Sequence, residues 1–306
     1  MKKVAIVTPV HNRRELTLQC LRSLARLNSE GLEVRTYIVD DGSTDGTADA
    51  IREEFPKVSV IEGNGDLWFT EGTNVGVVEA MKTDPDYVLM INDDAVFDAD
   101  FLKYMVRTAE AVPRSVVGSL LLLWDTPHRL FQVSPKWSTW EGGWRHWYGQ
   151  TVWTVPEKPW EVDLIVGNCV LVPAKAIKEH GLMDSSRFPN FGDAEYTPRL
   201  KRLGWKLLIE PEARVFCQPN DMPVRLRSLS LKEKLNKLIW DLHHPHNLRR
   251  RFYAYVDGGP SYLKGSTAFV VFLFRLIFRR NVESISAVEI TEPPLSETFA
   301  HAVVES

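Results

Sequence analysis

Acidic side chains occur in three clusters, in a fixed order along the chain. The clusters are Asp40 with Asp41, Asp93 with Asp94, and Asp193 with Glu195. The first two come directly after apolar runs with β-strand character, at 36–39 and 87–91. Because open α/β sheets bind ligands at the carboxyl edge of their strands, we expect these two clusters to meet there. Carboxylates that converge repel each other unless they face a cation, so the pattern predicts a metal-assisted site for a phosphorylated ligand.

The composition is that of an ordinary globular protein, and it excludes some functions. The chain has 306 residues, of which 44% are hydrophobic and 25% are charged, which is enough for a sizeable core. Its net charge of −3 gives no overall basic field, so we expect no nucleic-acid partner. The three cysteines are far apart and lack metal-binding spacing, which predicts buried, reduced thiols in a cytosolic protein.

Strands and helices are predicted to alternate over the first 110 residues. The predicted strands are 4–9, 34–39, 58–62 and 87–91. The predicted helices are 15–27, a segment that follows the turn 41–46 and ends at Phe55, 73–81 and 100–110. This alternation predicts βαβ units and an α/β fold, with a mainly parallel, twisted sheet flanked by helices. Later strands are predicted at 116–124, 162–172, 205–209 and 213–216, with helices at 174–181 and after Asp193, ending near Gly204.

The segment 125–160 interrupts this alternation and is rich in tryptophan. Its tryptophans are Trp137, Trp140, Trp144, Trp147, Trp153 and Trp160. The segment also contains several glycines and prolines, which predicts an irregular or antiparallel insertion. Two interpretations stay open, hydrophobic packing or an aromatic wall for a sugar or lipid acceptor.

A basic tail with amphipathic helices is predicted from about residue 220. Apolar residues at helical spacing predict one helix at 229–242. The nearly all-apolar run 268–278 is far shorter than the ~20 residues that a bilayer span needs. Its flanking Lys264 and Arg279–Arg280 favour a helix that lies in a membrane interface, which would make the protein a peripheral membrane protein. The alternative is a helix that packs on the catalytic domain or on the partner in a homodimer.

Four motifs, read in order, resemble one known family. Residues 39–47 read VDDGSTDGT, 8–13 read TPVHNR and 92–94 read NDD, each at the end of a predicted strand. Together they resemble the inverting family 2 glycosyltransferases, which have the nucleotide-sugar-dependent GT-A fold. Residues 65–76, GDLWFTEGTNVG, look like the branch that includes bacterial rhamnosyltransferases. The resemblance extends over roughly residues 3–220.

The resemblance implies a domain organisation and an activity. The GT-A catalytic domain would be 1–220, with nucleotide-sugar binding in 1–110, the acceptor side in 111–220 and the helical tail in 221–306. It would transfer a sugar, with rhamnose as one candidate, from a dTDP- or UDP-linked donor to a glycan or lipid-linked glycan in bacterial surface polysaccharide synthesis. It would work in the cytoplasm, at the inner face of the cell membrane.

Two other functions stay open. One is a catalytically silent nucleotide-sugar-binding protein. The other is a sugar nucleotidyltransferase, which usually needs a glycine-rich basic phosphate loop near the N-terminus, unlike residues 8–12. Retention of Asp94 and Asp193 argues against the silent protein, because both would then have no task.

The resemblance also implies roles for the acidic residues. Asp193, within FGDAEY, takes the position of the general base that removes the acceptor proton, and Glu195 is the alternative base. Asp94 would hold Mg²⁺ or Mn²⁺ against the donor diphosphate. Asp41, with Asp40 beside it, would accept from the base of the nucleotide, and Asp93 would touch the ribose. The implied donor-binding residues are Thr8, Pro9, Asn12, Arg13, Asp40, Asp41, Gly65, Asn74 and Asp93. The implied acceptor-binding residues are Trp68, Gly167, Asn168 and Arg199.

The chain departs from the family pattern at several positions. Asn92 stands where the metal motif often begins with Asp, so one ligand is expected to be weaker or replaced by water. Gln218 stands where relatives often carry a metal-binding His and is a poorer metal ligand. Pro198 limits where the helix after the base can start. The tail histidines His243, His244 and His246 are predicted to be surface residues, and contact with a diphosphate is the alternative.

Overall fold

The computed structural model describes residues 1–147, 149–218, 230–244 and 246–278. Within these residues nine strands form one sheet, and two more form a hairpin. The sheet strands are β1 (Lys2–Val10), β2 (Leu32–Asp40), β3 (Ser59–Glu62), β4 (Tyr87–Ile91), β5 (Ala95–Phe97), β6 (Ser115–Leu123), β9 (Trp160–Glu161), β10 (Cys169–Pro173) and β11 (Lys206–Cys217), and the hairpin strands are β7 (Val133–Ser138) and β8 (Gly143–Trp147). The helices are α1 (Arg14–Ala25), α2 (Thr47–Glu54), α3 (Trp68–Met81), α4 (Phe101–Ala111), α5 (Ala174–His180), α6 (Asp193–Arg202), α7 (Leu231–Leu235), α8 (Leu248–Gly258) and α9 (Tyr262–Phe278).

The sheet confirms the predicted α/β class. Its strand order is β3-β2-β1-β4-β10-β6-β11-β5, with β9 paired to β11. The first four strands are parallel, as predicted. Beyond β4 the direction changes, because β10 is antiparallel to both β4 and β6, whereas β6 and β11 are parallel. The connection from β6 to β10 contains the hairpin β7–β8 instead of a crossover helix, which suits an antiparallel pairing.

Both faces of the sheet are buried. Alternate residues of β1 point to opposite faces, so that Val4 and Ile6 belong to one apolar cluster and Ala5 and Val7 to the other. Helices α1, α2 and α4 cover the first cluster, and α3, α5 and α6 cover the second. This layered arrangement explains why the strands are continuous apolar runs, and it leaves the strand ends to carry the polar residues.

Several element boundaries differ from the sequence-based predictions. Helix α3 begins at Trp68 instead of residue 73, because the side chain of Asp41, directly after β2, accepts from the N–H groups at its start. Of the predicted strand 162–172, only the part from Cys169 onwards is in β10. The two strands predicted at 205–209 and 213–216 are one strand, β11, with an irregularity between Glu210 and Arg214.

Pro198 lies inside α6, which begins at Asp193. A proline has no N–H, so the carbonyl of Ala194 lacks its usual helical donor. Helix α8 crosses α6 at this carbonyl, where a Cβ on Gly258 would lie 2.6 Å from the Ala194 oxygen. The missing side chain of Gly258 therefore lets the tail pack closely on the helix that carries Asp193.

The tail packs against α6 and the β7–β8 hairpin. The predicted helix 229–242 is divided, since α7 continues into a π-helical turn at Asn236–Trp240 and the chain then leaves the helix. Helix α9 has 17 residues and packs on α8 and on the β7–β8 hairpin, where Arg275 donates to the carbonyl of Glu141. Residues 279–306, which include the predicted flanking Arg279–Arg280, lie outside the described residues. Among the residues that the structure describes, no helix has the length and apolar character to cross a bilayer.

Two tryptophans of the hairpin serve hydrophobic packing. The rings of Trp137 and Trp144 meet edge-on, with centroids 4.8 Å apart, and Trp137 also meets Tyr255 of α8 at 5.6 Å. Trp140 at the hairpin end is 81% exposed. The packing interpretation therefore holds for Trp137, while Trp144 also lines the cavity described below.

Candidate active site

The loops that follow β1 and β2 hold each other at the carboxyl edge of the sheet. Asn12 accepts from the N–H of Thr44 at 2.7 Å, and its own N–H donates to Ser43 Oγ at 2.9 Å. His11 Nδ1 lies 2.6 Å from the carbonyl oxygen of Asp41. Asn12 has a φ of 51°, a conformation that asparagine tolerates better than most residues. The predicted donor residue Asn12 thus shapes this edge through its contacts with the second loop.

The carboxylate of Asp41 accepts hydrogen bonds from main-chain N–H groups at and just before the start of α3. Oδ1 accepts from the N–H of Gly65 at 2.8 Å, and Oδ2 accepts from Leu67 at 2.9 Å and from Trp68 at 3.0 Å. N–H groups at the start of a helix have no partner within the helix, so Asp41 fixes both the loop and the beginning of α3. The contact between Asp41 and the nucleotide base, which the family resemblance implied, stays a prediction. The neighbouring Asp40 is buried and accepts from the N–H of Ser43 at 2.8 Å.

The acidic pair after β4 faces a cation from the β1 loop. Arg13 Nη1 lies 3.3 Å from Asp93 Oδ1 and 3.0 Å from Asp94 Oδ2. Asp93 is buried and also accepts from the Thr17 hydroxyl at 3.0 Å. Burial raises the pKa of Asp93 to about 6, and the charge of Arg13 opposes that rise. The cation that converging carboxylates require is thus supplied in part by the protein itself.

Two oxygens at this edge fit a divalent metal. Asn92 Oδ1 and Asp94 Oδ1 are both buried, and neither has a hydrogen-bond partner in the described part of the chain. Mg²⁺ prefers oxygen ligands and is often held by one or two side chains together with phosphate oxygens of the substrate. The described residues contain no group of three or more His, Cys, Asp or Glu that could hold a metal. Gln218 lies beside Asp94, because its N–H donates to the carbonyl of Asp94 at 3.2 Å.

Asp193 is the first residue of α6 and lines a cavity. Its Oδ2 accepts from the N–H of Gly167 at 2.9 Å, and a Cβ at Gly167 would lie 3.0 Å from the Asp193 Cβ. Burial raises the pKa of Asp193, while the N–H of Gly167 and the charge of Arg250 oppose that rise. The predicted residues Asp193 and Gly167 are therefore in direct contact, and they hold a carboxylate at the cavity wall.

Glu195 and Arg199 have a different setting from Asp193. Glu195 is buried, and its Oε1 accepts from Arg199 Nε at 2.6 Å. The Arg199 guanidinium also donates to the carbonyls of His180 and Leu182, each at 2.7 Å. Burial raises the pKa of Glu195, and Arg199 opposes that rise. These contacts tie Glu195 and Arg199 to the segment around residue 181, where they stabilise the fold.

Other predicted site residues are spread between the cavity and the core. The amide of Asn74 makes two hydrogen bonds to the main chain of Met183, at 2.9 and 3.2 Å, which joins α3 to the segment before α6. Thr8 is fully buried, and Pro9 packs against Gly72. Asn168 lines the cavity, and its carbonyl accepts from the N–H of Asn92 at 3.2 Å.

A cavity of about 550 Å³ lies between the sheet edge and the tail. Its wall includes Asn92 from the sheet edge, Asp193 from α6, and Arg250 and Arg251 from α8. Aromatic side chains form much of the remaining wall, namely Phe69, Trp144, Phe188, Phe191 and Tyr255. This volume is typical of a small-molecule site, and a wall of aromatic faces with a few polar groups is the usual lining.

The contribution of the tail to this wall was not predicted from the sequence. Arg250 is buried, and its guanidinium lies 4.0 Å from the ring centre of Phe191. The sequence did contain a signal for this contribution. Three consecutive arginines at the start of a helix oppose the helix macrodipole, which indicates that their charges serve something other than helix stability. The prediction that the tail histidines are surface residues is wrong for His244, which is buried although it belongs to the loop before α8.

The site combines two features. The parallel edge of the sheet carries acids and an arginine, and a carboxylate at the start of a helix lines a cavity that reaches this edge. Residues 5–154 match the family described as "Glycosyl transferase family 2". These residues are therefore a family 2 glycosyltransferase domain.

Similar proteins of known sequence and structure agree with this class. An N-acetylglucosaminyl-diphospho-decaprenol L-rhamnosyltransferase of Mycobacterium tuberculosis is 24% identical over 205 residues, which cover 60% of this chain and 66% of the relative. The chain thus spans just under two thirds of that relative's length. Among solved structures, GalNAc-T7 with UDP, GalNAc and Mn²⁺ has a TM-score of 0.60 at 13% identity, covering 83% of this chain and 50% of that one. TarS 1-349 of S. aureus with UDP has a TM-score of 0.53 at 13% identity, covering 90% of this chain and 71% of that one. At this identity the likeness shows the shared GT-A fold.

Proposed function

We propose that the protein is an inverting glycosyltransferase in which Asp193 is the general base. The observation that carries this proposal is the placement of the Asp193 carboxylate in one cavity with Asn92, at the sheet edge where a donor diphosphate is expected. In an inverting transfer, one carboxylate removes the proton of the acceptor hydroxyl as the oxygen attacks the anomeric carbon. The N–H of Gly167 fixes the orientation of this carboxylate. Glu195 is proposed to stabilise α6 through Arg199 instead of acting as the base.

Asp94 and Asn92 are the residues proposed to hold Mg²⁺ or Mn²⁺ through their unpaired Oδ1 atoms. When bound, the metal stabilises the negative charge that develops on the departing diphosphate. Arg13 bridges Asp93 and Asp94, which fixes both carboxylates and adds positive charge at the same edge. The Mn²⁺ and UDP in the GalNAc-T7 structure support this proposal by analogy of fold.

The proposed substrates are a dTDP- or UDP-linked sugar, with rhamnose as the first candidate, and a sugar on a lipid diphosphate. The name of the M. tuberculosis relative supports both, since it describes rhamnosyl transfer to a sugar-diphospho-lipid. The motif at 65–76 supports the same branch. Such an acceptor would place the protein in bacterial surface polysaccharide synthesis, at the cytoplasmic face of the membrane.

Helix α9 is proposed to hold the protein at that membrane without crossing it. Leu263, Val270, Phe274 and Phe278 are each more than 60% exposed, and their spacing puts them on one face of the helix. From residue 230 to 278 the chain has eight lysines and arginines against three acids, which favours an anionic lipid surface. Because α9 also packs on α8, the membrane-facing helix is joined to the cavity wall.

The experiment that tests the proposed function is a transfer assay with the full-length chain. UDP-, dTDP- and GDP-linked sugars are each offered with a short-chain polyprenyl-diphosphate sugar, and products are identified by mass spectrometry. We expect transfer from one donor, with an inverted anomeric configuration by NMR. If the donor binds but is neither transferred nor hydrolysed, the protein is instead a silent binding protein. Formation of a nucleoside triphosphate from donor and pyrophosphate would identify a nucleotidyltransferase.

A further inference from the structure

The cavity wall opposite the sheet edge comes from a helix that begins with three consecutive arginines. Arg249, Arg250 and Arg251 lie in the first turn of α8, and this turn contains no acid. Cations at a helix N-terminus oppose the macrodipole, so the run costs stability unless the charges serve another purpose. Arg249 is exposed and lies over Trp240, whereas Arg250 and Arg251 line the cavity.

Both cavity arginines are held in place by aromatic rings. The Arg250 guanidinium lies 4.0 Å from the ring centre of Phe191, and it donates to the carbonyl of Leu242 at 3.0 Å. The Arg251 guanidinium lies 4.7 Å from the ring centre of Phe272. A guanidinium that stacks through its face presents its N–H groups in the ring plane, where they can meet oxygen atoms. Fixing these side chains in advance reduces the entropy that ligand binding would cost.

The described residues that line the cavity carry more positive than negative charge. Of the residues that the structure describes, the charged ones that line the cavity are Asp193, Arg250 and Arg251, so two cations face one carboxylate. Burial and the neighbouring Arg251 lower the pKa of Arg250 to about 10. An anion bound between the two guanidinium groups would relieve this repulsion. Arginine pairs recognise phosphate oxygens in particular, through parallel N–H···O bonds.

We propose that Arg250 and Arg251 bind a diphosphate group inside the cavity. The assignment of that diphosphate to a substrate rests on the proposed function, in which both the donor and the lipid-linked acceptor carry one. Arg250 and Arg251 line the same cavity as Asp193, so the diphosphate site lies in the cavity that holds the proposed base. The tail is thus part of the binding site for the reacting molecules.

The first experiment measures the binding of inorganic pyrophosphate to the full-length protein by calorimetry. Chelator is present throughout, so that a metal at Asp94 contributes nothing. We expect Arg250→Gln and Arg251→Gln to weaken binding by about tenfold or more, the usual effect of losing a charged hydrogen-bond donor. Arg249→Gln is the matched control and is expected to bind like the unchanged protein. Equal affinity in Arg251→Gln and the unchanged protein would overturn the proposal, as would the absence of pyrophosphate binding to the unchanged protein.

Two further measurements are needed. One distinguishes a folding defect from a binding defect, and the other identifies the substrate that carries the diphosphate. Thermal unfolding shows whether Arg250→Gln, which removes a buried group, still folds, and the half-buried Arg251 carries the test if it does not. Steady-state kinetics of Arg251→Gln then assign the source, since a higher KM for the acceptor alone indicates the lipid diphosphate and a higher KM for the donor alone indicates the nucleotide. No change in either KM counts against the proposal. If the unchanged protein transfers no sugar, the proposed function fails, but pyrophosphate binding still decides this site.

Discussion

The ring of Trp68 stacks on the imidazole of His243, with centroids 4.0 Å apart and planes inclined by 30°. Trp68 begins α3, has a φ of 58° and donates through its main-chain N–H to Asp41. His243 lies in the tail, between α7 and α8. The tail therefore contacts the loop at the donor edge, which is the sheet edge where the sugar donor is proposed to bind. It also contacts the helix that carries Asp193. Both sides of the proposed reaction share a contact with the same C-terminal segment.

Replacing Asp193 with Asn should reduce transfer by about 10²–10⁴-fold, the usual effect of losing a positioned base. Donor affinity should be unchanged, because the donor edge is formed by other residues. Burial disfavours the charged form of Asp193, so Asp193→Asn should be at least as stable as the unchanged protein at pH 7. Initial rates, donor titration and thermal unfolding measure the three effects. Near-normal turnover in Asp193→Asn would refute its assignment as the base.

Glu195→Ala is the matched comparison within the same helix. Removal of the buried carboxylate leaves Arg199 without one of its partners, which should cost about 1–3 kcal/mol of stability. At a temperature where the variant is folded, we expect most of its turnover to remain. A variant that is stable but inactive would transfer the role of base from Asp193 to Glu195.

Activity should fall at acid pH earlier than it would with an ordinary aspartate as the base. The base works when deprotonated, and burial raises the pKa of Asp193, so kcat/KM should drop as the pH falls through that raised value instead of near ~3.9. Arg250→Gln removes a charge that opposes the rise, so its acid limb should move to still higher pH. The pH profiles of kcat/KM for both proteins test this. A shift of the Arg250→Gln limb to lower pH would contradict it.

Transfer should require a divalent metal. Excess chelator should abolish activity and Mg²⁺ or Mn²⁺ should restore it, because Asp94 and Asn92 each present an unpaired oxygen at the donor edge. Asn92→Asp adds a carboxylate at this position and should lower the metal concentration needed for half-maximal activity. Full activity in excess chelator would show that protein cations, with Arg13 the nearest to the acids, are sufficient.

The protein should bind anionic vesicles through α9. Co-sedimentation with phosphatidylglycerol vesicles should weaken in high salt and fall sharply in Phe274→Asp, because Phe274 is exposed on the apolar face. Leu203→Asp is the control, because it also replaces an exposed apolar side chain with an acid, at the end of α6. This variant should bind vesicles normally. If Phe274→Asp binds vesicles normally but changes the oligomeric state measured by light scattering, α9 is instead a contact between two copies.

Sequence patterns predicted those parts of the site that depend on local order. The strands β1, β2 and β4 are short apolar runs, and the acids follow them directly, so parallel pairing alone brings Asp41 and Asp94 to one edge. A helix was predicted to follow Asp193, and α6 begins at Asp193 itself. In each of these cases the information lies within about ten residues of the chain.

The contacts that sequence patterns did not predict join distant segments. Asn74 bonds to Met183 across 109 positions, so its interpretation as a donor residue rested on the motif alone. The three N–H groups that donate to Asp41 belong to residues more than twenty positions further along the chain. Arg250 reaches the cavity only because α8 packs on α6, and no local pattern in the tail specifies that packing.

The close approach of Gly258 to the carbonyl of Ala194 has a consequence for synthesis on the ribosome. Helix α6 leaves the exit tunnel before α8 exists, so the growing chain presents the Asp193 carboxylate while its cavity is open to solvent. A donor sugar held by such an intermediate would meet water instead of its acceptor. Under the proposed function, the cavity wall would close only after α8, from Leu248 to Gly258, has formed and Gly258 packs on α6, so the activated sugar would be protected from hydrolysis only from that point of synthesis onwards.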